Sequence, residues 1–261
     1  MKIVLVGAGN LSTHLGKALQ EAHHNIVQVY SRTEASAVTL AHQLACSHTT
    51  DLQALSRDAD IYIYALKDDI VQQVMNEVNI PNALHLHTAG SIPLHCKQEG
   101  RYGVMYPLQT FSKERPVNFQ EIPIFIEGDS EDTLQTIHQL AHTISQSIYT
   151  ISSQQRQQLH LAAIFACNFV NCMYANAAEL LRDIHLPFDV LMPLIQETAS
   201  KVRSLTPEAA QTGPAKRYDK NILQQHIDKL SSPNQQAIYR LLSEDIHQRH
   251  LQAVPAPHLE K

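Results

Sequence analysis

The chain has 261 residues, 44% of them hydrophobic, enough for one large or two ordinary domains around a sizeable core. A formal net charge of −5 without a basic cluster argues against a nucleic-acid or anionic-membrane surface. Four cysteines, Cys46, Cys96, Cys167 and Cys172, show no C-x-x-C spacing, and the chain enters an apolar run directly; together these point to a cytoplasmic protein with reduced thiols and no leader.

Ile3 to Val6 reads as a buried strand that breaks at Gly7-Ala8-Gly9 and runs into a helical pattern with Leu11, Leu15, Ala18 and Leu19 on one side. Strand, glycine turn and helix form the opening of a dinucleotide-binding βαβ unit. Gly7 permits the tight turn. Gly9, lacking a Cβ, lets a pyrophosphate reach the backbone, and the positive end of the helix holds the anion. Gly7, Ala8, Gly9, Asn10 and Leu11 are therefore the expected phosphate-binding residues. Ser12 stands where the third glycine of G-x-G-x-x-G usually falls, and is small enough for helix and strand to pack closely.

Asn25 to Tyr30 is a second strand. Its end is where NAD binders place a carboxylate on the ribose hydroxyl. Here Ser31, Arg32 and Thr33 offer a guanidinium between two hydroxyls, a set that suits a bound phosphate and predicts NADP(H) over NAD(H). Ser31 is also placed to cap the helix spanning Thr33 to Cys46. A short helix over Asp51 to Ser56 precedes the strand Ile61 to Ala65. The turn Ala65-Leu66-Lys67 lies at the strand edge where such sheets bind ligands, with Asp68 or Asp69 capping a helix to about Val78. Leu84 to His87 is the next strand. It runs into Thr88-Ala89-Gly90-Ser91, a small-residue turn where Thr88 and Gly90 can approach a nicotinamide ring. His85 and His87 share one strand face, but a third ligand at metal spacing is absent, so a solvated or hydrogen-bonded pair is expected and no metal site. Gly103 to Tyr106 and Ile122 to Glu127 are strands, Glu131 to Ser145 is a helix, and Ile148 to Ile151 closes the series. Strands alternating with helices predict a doubly wound, Rossmann-like α/β domain over residues 1–152.

The strand signals then stop, and an all-helical domain is expected over residues 153–250, followed by a flexible tail over 251–261. Gln154 to Asp183 is one long helical pattern with no charge from Gln157 to Ala178, long enough to raise a membrane span; its asparagines and histidine argue against one. At 100° per residue His160 and Asn171 fall about 20° apart and Asn168 about 80° from His160, so a polar stripe is expected along an otherwise buried helix. Further helices are expected over Leu191 to Leu205, with Pro193 in the first turn or at a kink, over Lys220 to Leu230, and over Asn234 to His250. Between them, Gln211-Thr212-Gly213-Pro214-Ala215-Lys216-Arg217 joins a rigid turn to adjacent cations that suit a carboxylate or phosphate.

With both halves read, the chain resembles bacterial Rossmann-like proteins whose helical second half is a domain of unknown function. The matching stretches are Gly7-Ala8-Gly9-Asn10, Tyr30-Ser31-Arg32, Tyr106-Pro107-Leu108-Gln109-Thr110-Phe111, His160-Leu161-Ala162-Ala163, Asn168-Phe169-Val170-Asn171 and Gln211-Thr212-Gly213-Pro214-Ala215. More distant similarity extends to pyrroline-5-carboxylate reductase, the 6-phosphogluconate and 3-hydroxyisobutyrate dehydrogenases and the deazaflavin-dependent NADP reductases. The resemblance implies a nucleotide domain followed by a helical domain that builds a homodimer. Two departures bear on chemistry. The Lys-x-x-x-Asn pair of the hydroxyacid dehydrogenases is absent, because Ile164 and Cys167 stand four residues before Asn168 and Asn171. The small-residue stretch of the pyrroline-5-carboxylate reductases is replaced by Leu159-His160-Leu161-Ala162-Ala163.

The expected function is an NADP(H)-dependent oxidoreductase acting on a small oxo or imino acid. His160 is the candidate proton donor, since imidazole titrates near working pH. Asn168 and Asn171 are candidates for orienting the substrate, and Gln109 and Lys216 for anchoring its polar groups. The alternative is a dimer that binds NADP(H) without turning it over, as a redox sensor or a partner-binding module.

Overall fold

The computed structural model describes residues 1–94 and 100–253. Cys96, one of the expected thiols, and residues 254–261 of the expected tail lie outside them. The elements in order are β1 (Lys2–Val6), α1 (Asn10–Glu21), β2 (Asn25–Tyr30), α2 (Glu34–Gln43), β3 (Ser47–Thr49), β4 (Ile61–Tyr64), α3 (Asp68–Glu77), β5 (Leu84–His87), β6 (Arg101–Pro107), β7 (Ile124–Gly128), α4 (Glu131–His142), β8 (Ile148–Thr150) and α5 (Ser153–Ala163). A π-helical turn, Ile164–Phe169, leads into α6 (Val170–Asp183), and then follow α7 (Met192–Lys201), α8 (Pro207–Ala210), α9 (Pro214–Arg217), α10 (Lys220–Lys229) and α11 (Pro233–Ala253). The chain divides into two compact units, Met1–Cys167 and Asn168–Lys261.

The first unit is built on an eight-stranded sheet in the order β3-β2-β1-β4-β5-β6-β7-β8. Strand connections run outward in opposite directions from β1 and β4, which creates a crevice at their carboxyl ends. Neighbours are parallel except β6 and β7, which pair antiparallel from Gly103–Gly128 to Pro107–Ile124. No α-helix lies between these two strands, only a 3₁₀ turn at Phe119–Glu121, so the chain has no crossover with which to return parallel. Both sheet faces are covered. Ile3, Leu5, Ile63 and Leu86 pack into one core, and Val4, Val6, Tyr62 and Tyr64 into the other. This double burial is why the central strands read as unbroken apolar runs.

Several local features differ from the sequence expectation. β3 carries Ser47, His48 and Thr49 at the sheet edge and shows no apolar run. The helix expected over Asp51 to Ser56 is a single 3₁₀ turn, Leu52–Ala54, held by the Asp51 side chain accepting from the Gln53 amide at 2.9 Å. The cap of α2 is Thr33 and not Ser31. Lys67 caps α3, which leaves Asp68 and Asp69 in the first turn, where their charge meets the positive helix end. Pro193 lies in the first turn of α7, and α11 continues to Ala253, taking in the first residues of the expected tail.

The largest departure is in the long helix. The π-turn at Ile164–Phe169 admits one additional residue, which turns the following side chains back by about 100°. The α-helical arithmetic that aligned His160 with Asn171 therefore does not apply across it. The helix is also not buried in the single chain: Phe165 is 63% exposed and Phe169 49%. Ser153–Asp183 is long and apolar enough to cross a membrane by length and composition alone.

α5 is tied to the sheet by a buried charge. Arg156 is fully buried; one guanidinium nitrogen pairs with the Glu127 carboxylate on β7, and the other donates to the Ile92 carbonyl at 2.6 Å. Ser153 donates to Glu127 through its amide at 2.9 Å and through its hydroxyl. Removing one partner of a buried pair leaves an uncompensated charge. Glu127→Ala is expected to lower the unfolding free energy by about 3–5 kcal/mol in urea titrations, and Glu127→Ala/Arg156→Met by much less. Equal losses would show that packing rather than charge sets the cost.

Candidate functional site

At the carboxyl end of β1 the glycine turn is closely constrained. Gly7 has φ +125°, and a Cβ there would collide with the Ala65 carbonyl oxygen. Its amide donates to the Tyr30 carbonyl at 2.8 Å, and the Ala65 amide donates to Val6 at 3.0 Å, so the ends of β1, β2 and β4 converge at this point. Gly9 is the N-cap of α1. No side chain caps that helix, and a Cβ at Gly9 would meet nothing within 4 Å. The start of α1 thus has no side-chain acceptor for its first amides and open space beside Gly9, an arrangement that fits a pyrophosphate. Ala8 is buried beneath the turn, and Leu11 packs against the core below it. Asn10 donates to the Phe111 carbonyl at 2.8 Å and ties the turn to the loop after β6. Ser12 is fully buried, consistent with close helix–strand packing in place of the third glycine.

The adenosine end lies past β2. The Ser31 amide donates to Thr49 at 3.2 Å, which gives the short edge strand β3 a role in holding this turn. The Ser31 hydroxyl accepts from the Thr33 amide at 3.4 Å, and Thr33 donates to the Ser36 hydroxyl at 2.9 Å. Arg32 is exposed and makes no hydrogen bond or ion pair among the described residues. An uncommitted guanidinium flanked by hydroxyls matches a 2′-phosphate.

On the β4–β5 side, Ala65 and Leu66 are half-buried and Lys67 is exposed at the start of α3. The Thr88 amide donates to the Tyr64 carbonyl at 3.3 Å. Gly90 is buried against α5: a Cβ there would lie 2.6 Å from His160 Nδ1 and 2.9 Å from Tyr106 Cζ. Tyr106 Oη and His160 Nδ1 are hydrogen-bonded at 3.0 Å. Sequence reasoning missed Tyr106 as a site residue, although it opens one of the stretches that carry the family resemblance. The loop after β5 is fastened from several directions. Ser91 donates to Asp68, Gln157 donates to the Ser91 carbonyl at 2.8 Å, and the Leu94 amide donates to the Ser153 hydroxyl at 2.7 Å.

Two titratable groups behind this loop are held neutral. Burial, reinforced by the Arg156 charge, pushes the His87 imidazole down to about 4. Its Nδ1 accepts from the Ala89 amide and its Nε2 donates to the Pro93 carbonyl, each at 3.2 Å, so the ring braces the loop. Burial, with the Asp68 carboxylate nearby, raises the Tyr106 phenol. His85 is stacked between Tyr62 and Tyr102, and its ring nitrogens meet the Tyr64 hydroxyl and the Ile80 carbonyl.

The remaining expected site residues take other local contacts. Gln109 is turned onto its own loop, with Oε1 accepting from the Thr110 amide at 2.7 Å. Asn168, Asn171 and Lys216 lie in the second unit. The two asparagines are exposed and make no hydrogen bond among the described residues. Lys216 donates to the Gln211 carbonyl at 3.0 Å.

Comparison with known proteins agrees with this geometry. Residues 2–88 match the family model "NADP oxidoreductase coenzyme F420-dependent", and residues 122–246 match the domain of unknown function DUF2520. The solved structure of a candidate NADP oxidoreductase from Bacteroides fragilis is 50% identical, with a TM-score of 0.89, over 95% of this chain and 98% of that one. The chain belongs to this family of DUF2520 proteins with an NADP oxidoreductase-type Rossmann domain. The family makes NADP(H) the cofactor, and the residues at the sheet edge fit it. A Thermotoga maritima protein shares the fold at 21% identity and TM-score 0.70, covering 96% of this chain and 98% of its own. The 1-pyrroline-5-carboxylate reductase of Streptococcus pyogenes shares it at 15% and 0.65, covering 97% and 98%. No curated protein matches.

The two ends of the nucleotide site are separable by mutation. Gly9→Ala is expected to keep the unfolding free energy within about 0.5 kcal/mol while weakening NADPH binding at least about tenfold in calorimetry. Arg32→Ala is expected to weaken NADPH by about 1.5–3 kcal/mol and leave NADH nearly unchanged. Equal losses for the two nucleotides would remove Arg32 from 2′-phosphate recognition.

Proposed function

We propose that this protein is an NADP(H)-dependent oxidoreductase that reduces a small oxo or imino acid, with His160 as the proton donor. The observation that carries this reading is the placement of a hydrogen-bonded histidine against Gly90, on the loop that leaves the carboxyl end of β5. That edge of the sheet is where the nicotinamide half of the cofactor is received. NADPH, when bound, supplies the hydride. The chain's own residues do the rest. The Gly7–Leu11 turn and Ser31–Thr33 fix the two phosphate-bearing ends, while Ala65, Leu66, Lys67, Thr88 and Gly90 shape the edge between. In its protonated form His160 delivers a proton from Nε2 to the substrate oxygen or nitrogen that receives the electron pair of the broken double bond. Its Nε2 makes no hydrogen bond among the described residues, so it is uncommitted.

Incubation of the protein with NADPH and a panel of 2-oxo acids and imines, followed by absorbance, tests the reading. Consumption is expected with at least one member, and His160→Gln is expected to lower turnover at least ~10²-fold. Near-normal turnover in that variant would exclude His160 as the acid. Tight NADPH binding with no consumption would favour a sensor instead.

The helical half is read as a homodimerisation surface. Ile184 and Leu194 are each 62% exposed, and Leu186, Val190, Val202 and Leu205 are also open. Monomeric proteins rarely leave such apolar surface uncovered. The polar groups of Ser153–Asp183 favour a second copy over lipid as its cover, in keeping with a cytoplasmic protein. Light scattering is expected to give twice the 29.3 kDa chain mass, and Leu194→Glu to shift it toward one. A monomer at micromolar concentration would refute the dimer.

A further inference from the structure

We infer that Tyr106 is a positioning residue for His160, fixing the neutral imidazole as the tautomer that carries its proton on Nε2. The inference rests on His160 being the proton donor. Its own basis is the 3.0 Å contact between Tyr106 Oη and His160 Nδ1, with the two rings meeting edge-on at 73°.

The hydroxyl makes no other hydrogen bond among the described residues, and in this proposal it donates its proton to Nδ1. A ring nitrogen that accepts cannot also carry a proton, and the neutral ring must therefore be protonated at Nε2. The phenol stays in its donating form because burial raises its titration, and the Asp68 carboxylate on α3 opposes ionisation further; Arg156 on α5 acts in the other direction and more weakly. When the imidazole takes a second proton, the hydroxyl reverses and accepts from Nδ1–H. Only the imidazolium gives up the Nε2 proton; that donation leaves the neutral ring protonated at Nδ1, with this proton held by Oη, and exchange with water returns the ring to its resting Nε2–H form. Gly90 enforces the arrangement from the other side, since any side chain there would displace both rings. α5 enforces it from behind. Arg156 and Gln157 are bonded to Ile92 and Ser91, and His160 follows them by four and three residues, on the same helical face.

The test reads the tautomer directly and needs no substrate. On the full chain labelled with ¹⁵N, long-range nitrogen–proton correlation spectra show which nitrogen of each imidazole is protonated. The His160 signals are those lost in His160→Gln. Above its titration, wild-type His160 is expected as a single Nε2–H tautomer. In Tyr106→Phe, which keeps the ring and removes only the hydroxyl, it is expected as a mixture of both tautomers, with the remaining histidine signals unchanged. A wild-type ring protonated at Nδ1 overturns the inference, whether or not the variant folds, and so does a single Nε2–H tautomer that survives in Tyr106→Phe. Either result leaves His160 as proton donor. Wild-type turnover in His160→Gln removes the donor and leaves the tautomer as measured.

Discussion

The buried Arg156 guanidinium is the contact on which the rest of the first unit's site depends. It joins three separate parts of the chain: Glu127 on β7, the Ile92 carbonyl on the loop after β5, and the first turn of α5 on which it stands. Taking such a charge out of water costs several kcal/mol, and a well-packed apolar residue would often be at least as stable. An apolar residue would not, however, set direction. The planar fork reaches a carboxylate and a carbonyl at fixed angles, and this determines both the rotation of α5 and the path of the β5 loop. Gly90 and His160 are brought together by that pair of constraints.

Charge in this neighbourhood is deliberately sparse. Arg156 is matched by Glu127, while His87 is held uncharged by burial and by the guanidinium beside it. Because the folded protein binds the neutral His87 ring, its contribution to stability is complete above about 6.5 and declines as pH falls toward about 4, where the ring can charge in place. Tyr106 is held protonated by the same burial and by Asp68. Arg32, on the turn after β2, is exposed and makes no hydrogen bond or ion pair among the described residues.

The α/β half was legible because its physics is local. The buried strands β1 and β4 are apolar runs, β5 alternates leucine with histidine, and β2 falls between the same residues in sequence and structure. The G-x-G turn declares itself through a residue type that alone tolerates Gly7's backbone. What escaped were features set by partners distant in sequence. β3 is three polar residues that exist as a strand only because β2 offers an edge. Tyr106 and His160 are 54 residues apart, and nothing in either stretch indicates the other. Glu127 and Arg156 look like ordinary surface charges until the fold buries them. The spacing argument on the long helix failed for a different reason. It assumed one uninterrupted α-helical period, and the π-turn at Ile164–Phe169 breaks that period without a glycine or proline to announce it.

The same helix departs from the usual arrangement of a soluble amphipathic segment toward its end. An ordinary surface helix hides its apolar stripe and shows its polar one. In α5 itself, Ser153, Arg156, Gln157 and His160 are bonded to the sheet and its loops, while Gln154, Gln155 and Gln158 are exposed; apolar exposure begins at its end, with Leu161 at 48%, and continues into the π-turn, with Phe165 at 63%. Polar groups bind a sheet edge directionally, whereas apolar groups can be covered by any complementary surface. The directional contacts of α5 thus fix the His160 ring against Tyr106 and Gly90, while the apolar side chains that follow are left at the surface of the chain.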